Sequence, residues 1–98
     1  MKDDSRISET HNVLCETAVY YYERGEYGKG NMSANYDIYC VVSRAEQKIY
    51  VFDFPILKAN YGRGRRKEIN HYDQRTICYL VSLDILKDCG ALIAVIDY

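Results

Sequence analysis

The sequence predicts an α+β fold: a mainly antiparallel sheet of about four strands, an N-terminal helix packed on one face, and a short helix before the last strand. Three observations predict it. Residues 36–54, YDIYCVVSRAEQKIYVFDF, alternate with period two on both sides of a polar centre, which is the pattern of a β-hairpin. Residues 74–81 alternate again and run into a short helical pattern bounded by Ser82 and Gly90. Residues 5–24 place Ile7, His11, Leu14, Ala18 and Tyr21 or Tyr22 at spacings of three and four.

The N-terminal helix is supported by Asp4, Ser5 and Ser8 as caps, by Glu9 and Arg24 at dipole-compatible ends, and by Gly25 as a left-handed stop. A rival reading exists at its end, because residues 19–22 are β-prone. The run Tyr20, Tyr21, Tyr22 cannot put every ring into one core, so at least one is expected at the surface, either with its hydroxyl in water or as part of a binding surface. Residues 26–35, EYGKGNMSAN, read as a loop. Gly28-Lys29-Gly30 lacks the strand-then-helix flanks of a phosphate loop, and the sequon Asn31-Met32-Ser33 carries no weight without a secretory signal.

In the hairpin's first arm Tyr36, Ile38, Cys40 and Val42 form the more apolar set and are expected to face the core. The second arm is apolar on both faces, as in a strand inside a sheet, and Pro55 ends it. No Asn-Gly or Asp-Gly joins the arms, so the connection is longer than a two-residue turn. Residues 91–97 are almost wholly apolar and predict a strand buried on both faces near the sheet centre. Their connection is too short for a parallel crossover, which favours antiparallel pairing.

The size, 98 residues, fits a single domain spanning 1–98. The longest aliphatic run is too short to cross a bilayer and the start, MKDDSR, is acidic, so a cytoplasmic protein without membrane contact is expected. Cys15, Cys40, Cys78 and Cys89 form no C-x-x-C pair and are expected to be buried free thiols, not metal ligands.

Charge is uneven. Residues 1–57 hold six basic and nine acidic side chains, residues 58–75 six and two, and residues 76–98 one and three, so a +4 segment interrupts a chain of net charge −1. The candidate binding residues lie there, in a loop spanning 61–72: Tyr61, Arg63, Arg65, Arg66, Lys67 and Tyr72. Cations interleaved with glycines can meet phosphates while flanking tyrosines stack on bases. The plainer reading is a solvated loop that keeps the protein soluble.

No catalytic signature is present, and neither a cofactor nor a metal is expected. His11 and His71 could serve a metal-independent ribonuclease only if the fold brought them together with Lys67. The carboxylates contain no D-x-D or E-x-x-H pattern, and His11 with Cys15 is at most half a metal site. The leading expectation is therefore a small intracellular protein that binds and inhibits or modulates a macromolecular partner, in the manner of a toxin-immunity protein, an antitoxin or a phage inhibitor. The alternatives are nucleic-acid or nucleotide binding through residues 61–72 and, last, the ribonuclease. Homodimerisation through an uncovered sheet edge is compatible with each.

Overall fold

The computed structural model describes residues 2–3 and 6–98. The elements in chain order are β1 (Lys2–Asp3), α1 (Ile7–Thr10), β2 (Asn12–Tyr21), β3 (Glu26–Lys29), a 3-10 turn (Asn31–Ser33), β4 (Ile38–Ser43), β5 (Lys48–Asp53) and α2 (Phe54–Asn60). A second 3-10 turn (Tyr61–Arg63), β6 (Arg65–Asn70), β7 (Gln74–Ser82), α3 (Leu83–Asp88) and β8 (Leu92–Asp97) complete them. Among the described residues the strands form two four-stranded sheets, ordered β1-β4-β5-β8 (sheet 1) and β3-β2-β7-β6 (sheet 2). Only β1 with β4 is parallel; the other pairs are antiparallel. The α+β class holds, with two sheets where one was expected.

The hairpin forms as β4 and β5, with Ser43 opposite Lys48 and residues 44–47 as the turn. Gln47 adopts φ 53° there, and its N–H donates to Arg44 O at 3.2 Å. The Glu46 carboxylate ties the turn down: it accepts from Ser43 Oγ at 3.0 Å and from the Tyr50 hydroxyl at 3.0 and 3.2 Å. The buried face is the opposite of the expected one. Tyr39, Val41 and Ser43 are buried, whereas Ile38 is exposed and Cys40 and Val42 are half-buried. The less aliphatic face turns inward because its polar atoms find partners there, the Tyr39 hydroxyl with Asn31 and Ser43 with Glu46.

The predicted N-terminal helix is corrected. Only Ile7–Thr10 is helical, and it stops at His11, whose φ of 55° is left-handed; of the expected caps, Asp4 and Ser5 lie outside the described residues and Ser8 lies inside the helix. Asn12–Tyr21 is a strand. Its β-branched and aromatic residues gain more from pairing with β7 along its whole length than an isolated amphipathic helix would gain from propensity.

β5 runs inside sheet 1, as its two apolar faces predict, and ends at Asp53. There the Asp53 carboxylate accepts from Ile56 N–H at 3.1 Å and Pro55 occupies the first turn, so α2 begins directly after the strand. Ser82 caps α3 in the same way, accepting from Asp84 N–H at 3.1 Å, and Gly90 follows with φ 82°. Residues 26–35 are not wholly loop, since β3 and the first 3-10 turn lie within them.

Both sheets contribute to one core. Val13 and Cys15 from β2 and Val81 from β7 pack with Val41, Tyr50 and Phe52 from sheet 1, closed by Ile7, Phe54, Leu57 and Leu86 from the helices. β8 is a second correction: it pairs antiparallel with β5, as expected, but at the edge, with most of its residues exposed. All four cysteines are free; Cys15 and Cys78 are buried and Cys40 and Cys89 half-buried. No helix among the described residues is long and apolar enough to cross a membrane.

Two outcomes are expected. Phe52→Ala, at a fully buried position, should cost about 3–5 kcal/mol in denaturant unfolding. The Tyr50 hydroxyl is pushed up from 10.0 to about 12 by burial first, then by its hydrogen bond to Glu46 and the nearby negative charges of Glu46 and Asp97. Between pH 10 and 12 the unfolded chain releases a proton that the folded chain keeps, so stability present below pH 10 is lost as pH rises through this window. The fall in melting temperature over that range should be shallower for Tyr50→Phe than for the native chain.

Candidate functional site

β2 and β7 are longer than the core they serve. Val13 and Val81 lie opposite one another in the core, as do Cys15 and Tyr79, but the pairing continues to Tyr20 opposite Arg75 and Tyr21 opposite Gln74. The register slips between Glu16 and Ala18, which makes Thr17 the extra residue of a β-bulge. Its polar groups are satisfied: Thr17 Oγ1 donates to Ile77 O at 3.0 Å, Thr17 O accepts from Gly30 N–H at 3.1 Å, and Glu16 N–H donates to Asn31 Oδ1 at 3.1 Å.

The bulge re-aims the side chains beyond it. Ala18 and Tyr20 now share a face with Val13, Cys15, Tyr79 and Arg75, whereas uninterrupted alternation would have sent Tyr20 to the other side. Tyr27 of β3 sits opposite Tyr20, with ring centroids 4.8 Å apart, and the Arg75 guanidinium lies 5.4 Å from the Tyr20 ring on the other flank. Tyr22 packs edge-on against Tyr20 at 5.9 Å and donates its hydroxyl to Asn70 Oδ1 at 2.9 Å. Tyr22 and Tyr27 are exposed. Arg75 Nε is buried and has no hydrogen-bond partner among the described residues.

The result is a patch of three tyrosines and one arginine on sheet 2, beyond the end of the shared core, on a molecule measuring 41 × 27 × 21 Å. The face behind it has its own small buried layer, Val19, Thr76 and Cys78, which strand alternation assigns to the opposite side. That layer gives the patch a packed support.

The expected basic loop is mostly a strand. Arg65–Asn70 pairs with β7 along its length as the edge of sheet 2. Charged residues suit that position, since they discourage pairing with other chains. Alternation divides the cations: Arg65 and Lys67 share one face and Arg66 takes the other, where it pairs with Glu68 at 3.0 Å. Arg63 is exposed in the preceding 3-10 turn. Tyr61 packs edge-on against Tyr79 at 5.3 Å, and Tyr72 is fully exposed in the β6–β7 turn. A six-residue strand separates these two tyrosines, roughly 20 Å of backbone, so they do not flank one ligand.

The histidines also stand apart. Leu83 N–H donates to His11 O at 2.9 Å at the end of β7, while His71 N–H donates to Gln74 O at 2.8 Å at its start. The nine residues between those ends span roughly 27 Å. Among the described residues no group of three or more His, Cys, Asp or Glu is placed to hold a metal ion.

Sequence reasoning singled out the run Tyr20 to Tyr22 but missed Tyr27, Asn70 and Arg75. The available signal was YYYERGEY, in which Gly25, with φ 62°, closes a tight connection and so returns Tyr27 beside Tyr20. No protein family matches the chain, and neither a curated protein nor a solved structure is significantly similar to it.

The two glycines of the basic segment should respond oppositely to substitution. A Cβ on Gly64 would collide with the Leu80 carbonyl, whereas one on Gly62 would meet nothing within 4 Å. Gly64→Ala should therefore cost about 1–3 kcal/mol in denaturant unfolding by displacing the start of β6, and Gly62→Ala should change stability by less than about 1 kcal/mol.

Proposed function

We propose that this chain works by contact, binding a protein partner through the tyrosine patch of sheet 2 and thereby inhibiting or modulating it. The observation that carries the reading is the cluster of Tyr20, Tyr22 and Tyr27 beside Arg75, with two of its rings exposed. Tyrosine and arginine are the residues most enriched at the energetic centres of protein interfaces. Their rings present large rigid area with few rotamers to freeze, and their hydroxyls accept partner hydrogen bonds. The Arg75 guanidinium beside the Tyr20 ring adds a charged group for which a partner's carboxylate or carbonyl is the natural acceptor.

Nucleic-acid binding through residues 61–72 has less support. The cations are split between two faces and one is already paired with Glu68. Exposed Arg63, Arg65 and Arg66 can still steer an acidic partner toward the same sheet.

The test is affinity capture from lysate of the native host, with and without nuclease, using the native chain and a Tyr22→Ala/Tyr27→Ala variant whose fold is checked by circular dichroism. A stoichiometric protein partner should survive nuclease, and the variant should bind it about 10- to 100-fold more weakly. Recovery of nucleic acid, or a partner lost on nuclease treatment, would move the function to β6. Undiminished capture by the variant would remove the tyrosine patch from the interface.

A further inference from the structure

We infer that β8 is a homodimerisation edge: two copies of this chain join their first sheets by antiparallel β8–β8 pairing about a two-fold axis at Val95. The surface is separate from the tyrosine patch, and the inference does not depend on that reading.

β8 is the outer strand of sheet 1, and among the described residues no strand pairs with its free side. Its hydrogen-bonding phase follows from one bond. Tyr98 N–H donates to Gln47 O at 3.0 Å. Hydrogen-bonded pairs alternate along an antiparallel ladder, so Ile96 and Ala94 turn their backbone groups toward Ile49 and Val51, while Val95 and Asp97 turn theirs outward. An antiparallel copy with Val95 opposite Val95 satisfies both sets of outward groups at once. It also pairs each face with its own kind, since residues of equal parity meet, and Ala94 comes opposite Ile96.

The side chains fit that occupant better than they fit water. Edge strands are ordinarily protected by charge, proline or strong twist. β8 reads Leu-Ile-Ala-Val-Ile before its single charge, Asp97, which is already opposite Lys48. Its bulge falls near Leu92, at the start, leaving the rest regular. Exposures of 53% at Ile93, 44% at Val95, 50% at Ile96 and 57% at Tyr98 leave apolar area on both faces of the strand. Covering all of it on both copies would remove at most about 900 Å² from water, below the usual size of a permanent interface and in the range of a reversible one. The pairing therefore predicts a reversible dimer.

Amide hydrogen exchange of the full chain, followed by NMR across a concentration series with sedimentation in parallel, tests this. In a dilute monomer the Val95 and Asp97 amides exchange freely while Ala94 and Ile96 are protected. At dimer-forming concentrations Val95 and Asp97 should become protected at least 10-fold. Val95→Lys, at an exposed position, should keep the fold and weaken self-association at least 10-fold. A chain that stays monomeric into the hundreds of micromolar would overturn the inference. So would a dimer in which the Val95 amide still exchanges freely, because that copy would be docked on another surface.

Discussion

Asn31 bridges the two sheets. Its side-chain oxygen accepts from Glu16 N–H at the β2 bulge, and its side-chain nitrogen donates to the Tyr39 hydroxyl on sheet 1 at 2.9 Å. One amide thus satisfies a backbone donor freed by the bulge and a phenol turned into the core. Each bond contributes about 1 kcal/mol, but leaving either group buried and unpaired would cost about 1–3 kcal/mol. Asn31 is also the acceptor of the apparent glycosylation sequon, and its amide is already committed to these internal bonds. The bulge it supports directs Tyr20 to the same side as Arg75, and so the tyrosine patch depends on a residue that touches none of its rings.

The bulge also explains what the sequence disclosed and what it concealed. Strands β4, β5 and β7 carry no extra residue of their own, the bulges lying in β2 and β8, and their positions could be read directly. In β2 the face that carries Val13, Cys15, Ala18 and Tyr20 has spacings of two, three and two, because Thr17 is extra. The set that imitated an amphipathic helix, Ile7, His11, Leu14, Ala18 and Tyr21, takes Leu14 and Tyr21 from one face of the strand and Ala18 from the other, so its spacings of three and four do not mark a single face. The choice of face on β4 was hidden for another reason. Ile38, Cys40 and Val42 are the more hydrophobic set, but burial followed the set whose hydroxyls had partners waiting at Asn31 and Glu46.

Edge positions were the other source of error, in both directions. β6 is so charged that it read as a loop, yet charge is what a stable edge strand needs. β8 is so apolar that it read as a central strand, yet it lies at an edge. Composition reports the environment a strand is suited to, and β8 is suited to a neighbour on each side. The candidate site was legible only in part, through its tyrosine run; Asn70, Tyr27 and Arg75 join it across strand pairings that no local pattern encodes.

The buried layer of Val19, Thr76 and Cys78 behind the tyrosine patch makes the far half of sheet 2 a fixed platform and not a frayed hairpin end. Backbone order parameters from ¹⁵N relaxation at Ala18, Val19, Tyr20, Tyr27, Arg75 and Thr76 measure this directly. Values near 0.85, equal to those at Val13 and Val81 in the shared core, are expected. Values below about 0.6 at these residues, with the core still rigid, would contradict it.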